Sequence, residues 1–257
     1  PRSRERRTVI IVASGRSRKD GRLAPQVHPC GLRAGPRAGY HAAMSRRPAI
    51  LCLQHVAQEP PGVVAEAVRG AGLQLEVVRI DRGDVVPRSA EGLSGLVVMG
   101  GPMGVPHLDR HPHLGDELRL VEAALARKVP VLGVCLGSQL LAAALGAGVE
   151  RGPRLELGWL PVSLEPGAKG DPLFGALPPE LVALHWHGDV FDLPRGATSL
   201  ARSSLTRCQA FRSGTAWGIL FHLEADSAQV QAMARAFPED LEEAGVSEDQ
   251  LRAGARK

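Results

Sequence analysis

The chain has 257 residues, 44% of them hydrophobic, which suits one large α/β domain with a core that needs no staples. No apolar run approaches the roughly 20 residues of a bilayer span. The four cysteines (Cys30, Cys52, Cys135, Cys208) have neither CxxC spacing nor the density of a secreted disulfide scaffold, so a soluble protein of the reducing cytoplasm is expected, with no membrane partner.

The formal charge of +4 hides a division. Residues 1–47 hold 11 Arg and one Lys against Glu5 and Asp20, whereas 48–257 hold 19 basic and 25 acidic residues. The basic character belongs to an N-terminal arm and not to the body. No aromatic residues alternate with the arginines as a nucleic-acid stacking surface requires, so 1–47 is expected to be a disordered arm without a nucleic-acid partner. Met44 stands just before the first well-formed strand, and 1–43 reads as over-extended sequence. The folded domain is expected to span 48–257.

Within it, Ala49–Leu53 is a short apolar run consistent with a buried strand. Gln58–Gly62 breaks it, and Val63–Val68 reads as a helix closing at Gly70. Leu73–Ile80 and Leu96–Met99 follow as strands, the second closed by Gly100-Gly101-Pro102. Asp116–Lys128 presents the apolar face of a helix, Val129–Val134 is a buried strand, and Leu136–Leu145 is the helix after it. This alternation predicts a mainly parallel central sheet with helices on both faces, a three-layer α/β sandwich. Past Gly148 the texture turns to strand-like pieces at Leu155–Leu164, Leu181–Leu184, Ser199–Ala201 and Ala216–Phe221, the last returning to the sheet. Helical sequence resumes near Ser227 and runs from Pro238 to Arg252.

Two segments carry the chemistry. Gly133-Val134-Cys135-Leu136-Gly137 places G-x-C-x-G between an apolar strand and an apolar helix. This is the arrangement of a nucleophile elbow with cysteine in place of serine. The helix N-terminus beneath it favours a thiolate and a developing oxyanion. In Trp217-Gly218-Ile219-Leu220-Phe221-His222-Leu223-Glu224, His222 and Glu224 lie two apart at the end of an apolar strand. They therefore point to one side, and the acid can fix the histidine tautomer. A thiol, a base and an orienting acid follow the logic of a catalytic triad.

GGP, G-x-C-x-G-x-Q and WG-x-x-FH-x-E, in this order between about Pro48 and Ser227, resemble the class I (triad) glutamine amidotransferases. His185–Pro194 and Cys208-Gln209-Ala210-Phe211 further resemble their stand-alone, GMP synthase-like members. The resemblance implies a flavodoxin-like topology with Cys135 as nucleophile, His222 as base and Glu224 as orienting acid. It implies an oxyanion hole from the N–H groups of Gly101 and Leu136. It also implies contacts from Gln139, His187 and Gly188 to a bound L-glutamine or γ-glutamyl amide. The implied reaction releases ammonia to a separate ATP-dependent synthetase. Stand-alone γ-glutamyl hydrolysis, or a non-catalytic binding module of the same fold, are the alternatives. The family's QFHPE here reads Leu220–Glu224, LFHLE, which keeps the histidine and acid and loses the glutamine and proline.

No metal or cofactor is expected. His107, His111 and His113 read as a Pro-interrupted solvated loop, and His185 and His187 as part of the glutamine pocket. No G-x-G-x-x-G or G-x-x-x-x-G-K is present to bind a dinucleotide or ATP.

Overall fold

The structure is a computed structural model that describes residues 49–255; the expected arm lies outside them. Nine strands form one sheet in the order β2-β1-β3-β4-β9-β8-β7-β5-β6. The parallel half comprises β1 (Ala49–Gln54), β2 (Gln74–Arg79), β3 (Gly95–Val98), β4 (Val131–Val134) and β9 (Ala216–Ile219). Its inner strands β1, β3 and β9 are buried along their whole length, as strands covered on both faces must be. Alternation divides their side chains between two cores. Leu51, Leu53, Leu96 and Val98 pack with Leu114, Leu120, Leu136 and Leu140 from α2 (Pro112–Ala126) and α3 (Leu136–Ala144). Ile50, Cys52, Val97 and Met99 face the other way, onto Val64 and Val68 of α1 (Gly62–Gly70). Each fully buried leucine contributes about 1.5–3 kcal/mol.

The expectation of a mainly parallel sheet needs correction, because the sheet is mixed. β5 (Val149–Leu164), β6 (Glu180–Phe191), β7 (Thr198–Arg202) and β8 (Ala210–Ser213) are joined to one another and to β9 by antiparallel ladders. Parallel neighbours need a crossover of a dozen or more residues, usually helical. No α-helix interrupts 149–219, so successive strands fold back on each other. β8, joined to β9 by a two-residue turn, was not anticipated.

The C-terminal helical stretch is also divided. After α4 (Ser227–Ala236) come α5 (Pro238–Ala244) and α6 (Glu248–Gly254). Gly245, in the left-handed region, ends α5, and the Ser247 hydroxyl starts α6 with a capping box to Gln250. These helices pack Val230, Met233 and Leu251 against Leu157, Leu184 and Trp186 of the β5–β6 hairpin.

Candidate active site

Cys135 stands between β4 and α3 with φ 48° and ψ −110°, a strained conformation for a residue with a Cβ. The two glycines around it allow strand and helix to approach. A Cβ on Gly133 would collide with the Gly137 carbonyl, and one on Gly137 with the Val98 carbonyl. The Cys135 N–H is held by Ile219 O at 2.8 Å, so β9 fixes the turn. Next to it, Leu136 N–H opens α3, where a helix offers no acceptor of its own.

His222 follows β9 by three residues, and its own N–H donates to Leu184 O on β6 at 2.8 Å. Its Nδ1 lies 2.6 Å from Glu224 Oε1. Its Nε2 is buried and without a hydrogen-bond partner, while the Cys135 thiol donates to Trp186 O at 3.6 Å. Thiol and imidazole are neighbours, and each acts on the other's ionisation. Burial opposes charge on His222, but the Glu224 carboxylate and the adjacent Cys135 outweigh it and hold the imidazole well above its ordinary value. Burial pushes the Cys135 thiol up, with His222 pulling in the opposite direction.

A cavity of about 690 Å³ opens over Cys135, and Gly101, Gln139, His187 and Gly188 all line it. Gln139 donates from Nε2 to Asp189 O at 3.3 Å, which leaves its Oε1 buried and unpartnered. The Gly101 N–H has no acceptor among the described residues. Glu59 also lines the cavity and was not anticipated. Burial raises its carboxyl, with His222 pulling it down. It packs so closely on Gly100 that a Cβ there would collide with it.

His185 and His187 belong to a buried polar cluster on β5 and β6. Glu156 lies 3.7 Å from each ring, and potential metal-ligand atoms of the three residues fall within 4.8 Å of one another. The Gln209 amide nitrogen sits among them, 3.0 Å from Glu156, 3.3 Å from His187 and 3.4 Å from His185. A neutral hydrogen-bond donor therefore holds the centre that a cation would need.

The stretch from His107 to His113 is in part the solvated loop expected of it, with His107, Asp109, Arg110 and Pro112 exposed, but its ends are structured. His107 closes a 3-10 turn and lines the cavity. His113 lies in the first turn of α2, where it bonds Glu117 at 2.9 Å.

Comparison with known proteins identifies the family. Residues 62–238 match the family model for glutamine amidotransferase class-I, and the chain belongs to that family. It is 30% identical over 195 residues to the glutamine amidotransferase-like protein YfeJ of Salmonella typhimurium, covering 74% of this chain and 81% of that one. It is 34% identical over 161 residues to a glutamine-hydrolyzing GMP synthase subunit from Haloquadratum walsbyi, covering 62% and 79%. A crystal structure of a glutamine amidotransferase from Thermotoga maritima superposes with a TM-score of 0.74 at 33% identity, over 82% of this chain and 91% of that one.

Proposed function

We propose that the protein hydrolyses the side-chain amide of L-glutamine through a thioester on Cys135 and passes the ammonia to an ATP-dependent synthetase carried on another chain. One observation carries the reading. The 2.6 Å His222–Glu224 bond leaves Nε2 of the histidine free beside a nucleophile held on a strained elbow at the floor of a cavity.

His222 Nε2 takes the Cys135 thiol proton, the sulfur attacks the amide carbon, and the carbonyl electron pair moves to oxygen. The N–H groups of Gly101 and Leu136 stabilise that oxyanion. His222, protonated and oriented by Glu224, gives its proton to the departing nitrogen, so ammonia leaves and a γ-glutamyl thioester remains. Water then attacks the thioester, His222 takes its proton, the carbon–sulfur bond breaks, and His222 returns the proton to the departing sulfur, so glutamate is released and the thiol is regenerated. Gln139 Oε1, His187 and Gly188 position the substrate. No external oxidant or cofactor enters.

The relatives named as separate subunits of GMP synthase support a synthetase partner on another chain, and a reducing cytoplasm suits the free thiols Cys52, Cys135 and Cys208. The strand order β2-β1-β3-β4-β9 with helices on both faces supports reading the parallel half as a flavodoxin-like sandwich. Residues 48–257 then form one domain with 1–47 dispensable to it. A second reading, hydrolysis of a larger γ-glutamyl amide without an acceptor, draws support from the cavity. At about 690 Å³ it lies within the roughly 300–1,000 Å³ of sites for drug-sized ligands.

Intact mass after acid quench with glutamine or a γ-glutamyl amide tests both readings. A γ-glutamyl adduct on Cys135 is expected and should vanish in Cys135→Ala. Absence of the adduct across these substrates in folded protein favours a non-catalytic module. Brief alkylation supplies a second check. Cys135 should label ahead of Cys52 and Cys208, whose thiols burial pushes up to about 12.

A further inference from the structure

One buried ionisable network takes no part in this mechanism yet touches its machinery. His55, the residue after β1, is 3% exposed, and Glu117 on α2 is fully buried. His55 Nδ1 lies 2.9 Å from the Gly100 carbonyl oxygen and its Nε2 lies 2.7 Å from Glu117 Oε2. With Glu117 held ionised by its two histidine neighbours, both partners are acceptors, and an imidazolium, which donates from both ring nitrogens, satisfies both. The second Glu117 oxygen accepts from His113 Nδ1 at 2.9 Å.

The consequence lies in the next peptide unit. Among the described residues no peptide bond is cis, and in a trans peptide the carbonyl and the following N–H point in opposite directions. With the Gly100 carbonyl drawn onto His55, the Gly101 N–H faces away from it, and it has no acceptor among the described residues. The contact is close, since a Cβ on Gly101 would lie 2.9 Å from His55 Cβ.

We infer that His55 is a positioning residue: its imidazolium, clamped between Glu117 and the Gly100 carbonyl, fixes the peptide plane that presents the Gly101 N–H to the oxyanion. The inference rests on the glutaminase reading above. The groups facing His55 are Glu117 and His113 from α2 and Glu59 from the loop after β1. Burial opposes its charge, but the Glu117 bond and charge, the Gly100 bond and Glu59 together raise it above the ordinary histidine value. The same bonds from His113 and His55 hold Glu117 low, against the effect of its burial. The clamp therefore opens as pH rises through the raised value.

The test measures kcat and KM on L-glutamine and on L-γ-glutamyl-p-nitroanilide for wild type, His55→Ala and His55→Asn. The asparagine amide nitrogen occupies nearly the place of Nδ1, so it can keep the Gly100 bond without the charge. His55→Ala should lose about 10²-fold in kcat, the lower end of the cost of removing an oxyanion donor, with KM little changed. His55→Asn should recover most of that loss and lack the wild-type fall in kcat at alkaline pH. A kcat for His55→Ala within about threefold of wild type, a loss confined to KM, or His55→Asn as slow as His55→Ala would overturn the role. If wild type turns over neither substrate, the glutaminase reading fails and nitrogen-15 NMR of the free protein decides the positioning. Two protonated ring nitrogens on His55 on the acid side of its transition and a displaced Gly101 amide resonance in His55→Ala are expected. A singly protonated ring or an unmoved amide resonance refutes the clamp.

Discussion

Two buried histidine–glutamate networks flank the nucleophile, built from the same residue types, and they hold their protons differently. Beside the end of β1, Glu117 of α2 meets only histidines as hydrogen-bond partners among the described residues: His55 at 2.7 Å and His113 at 2.9 Å. On the β5–β6 hairpin, Glu156 accepts from the hydroxyls of Ser203 and Thr206 and from the Gln209 amide, and its two histidines stay 3.7 Å away. His55 is raised. Burial leaves His185 and His187 depressed to about 4 and about 3, helped by repulsion from neighbouring histidines. A carboxylate nearby does not decide whether a buried histidine is charged. What decides it is whether that carboxylate's lone pairs are free to accept from the ring.

The sharpest way to break the contrast is to remove each acid. Glu117→Leu removes the partner that keeps the buried His55 charged, and losing one partner of a buried pair costs up to about 3–5 kcal/mol. Urea denaturation at pH 7 should show a loss of this size, shrinking as pH rises and His55 is free to become neutral. Glu156→Gln leaves hydroxyl and amide donors facing another NH2 group. Its cost should be smaller, about 1–3 kcal/mol for unsatisfied buried donors, and nearly independent of pH between 7 and 8. Equal losses with equal pH dependence would erase the distinction between the networks.

Stability against pH sharpens it further. His185 and His187 titrate near 6.5 when unfolded and at about 4 and about 3 when folded. The unfolded chain therefore binds more protons below pH 6.5, and stability falls with falling pH, by about 3 kcal/mol between pH 6.5 and 5. The lowered Glu117 acts in the same direction as pH falls through its folded value. His55 and His222 have the opposite sign. Both are raised in the fold, so their contribution is complete below pH 6.5 and is lost as pH rises through their folded values. A maximum near pH 6.5 is expected. His185→Leu should flatten the acid limb alone and His55→Asn should soften the alkaline one. A wild-type stability flat from pH 5 to 8 would contradict both assignments. For turnover, the raised His222 places the acid limb of kcat above the ordinary histidine value.

Much of the parallel half was legible because its strands are short apolar runs separated by amphipathic helices, a pattern local sequence carries. The antiparallel half was less so. β5 runs through Glu150, Arg151 and Arg154 with exposed charges that break apolar alternation, and only its later part from Leu155 was anticipated. The elbow and the His-x-Glu pair are contiguous motifs, so Cys135, His222 and Glu224 could be picked out before folding joined them. His55 and Glu117 are 62 positions apart and belong to no motif. A signal was nevertheless present. Leu114, Glu117, Val121 and Ala124 share the buried face of α2 at helical spacing, and a glutamate in that stripe requires a buried partner. Its partner, a histidine just past the apolar strand β1, was passed over. Glu156 with Ser203, Thr206 and Gln209 is invisible locally for the same reason, since a mixed sheet had to bring the strands together first.

The smallest expected effect compares the rims of the two networks. His113 bonds Glu117 from the first turn of α2, with its side chain 28% exposed, so water can replace it. His113→Ala should cost no more than about 1 kcal/mol, as for other pairs open to solvent. It should leave the Gly100 clamp intact, because His55 still holds the other carboxylate oxygen. Thr206 occupies the corresponding outer place beside Glu156, but it is 5% exposed. Thr206→Val removes a hydroxyl that water is poorly placed to replace, and the cost should exceed that of His113→Ala while remaining within about 1–3 kcal/mol. Measured at one pH near 6.5, where neither network is titrating away, the two variants differ mainly in access to water. If His113→Ala instead shifts the alkaline limb of kcat or costs as much as Glu117→Leu, the charge on His55 depends on the whole three-residue chain and not on the His55–Glu117 pair.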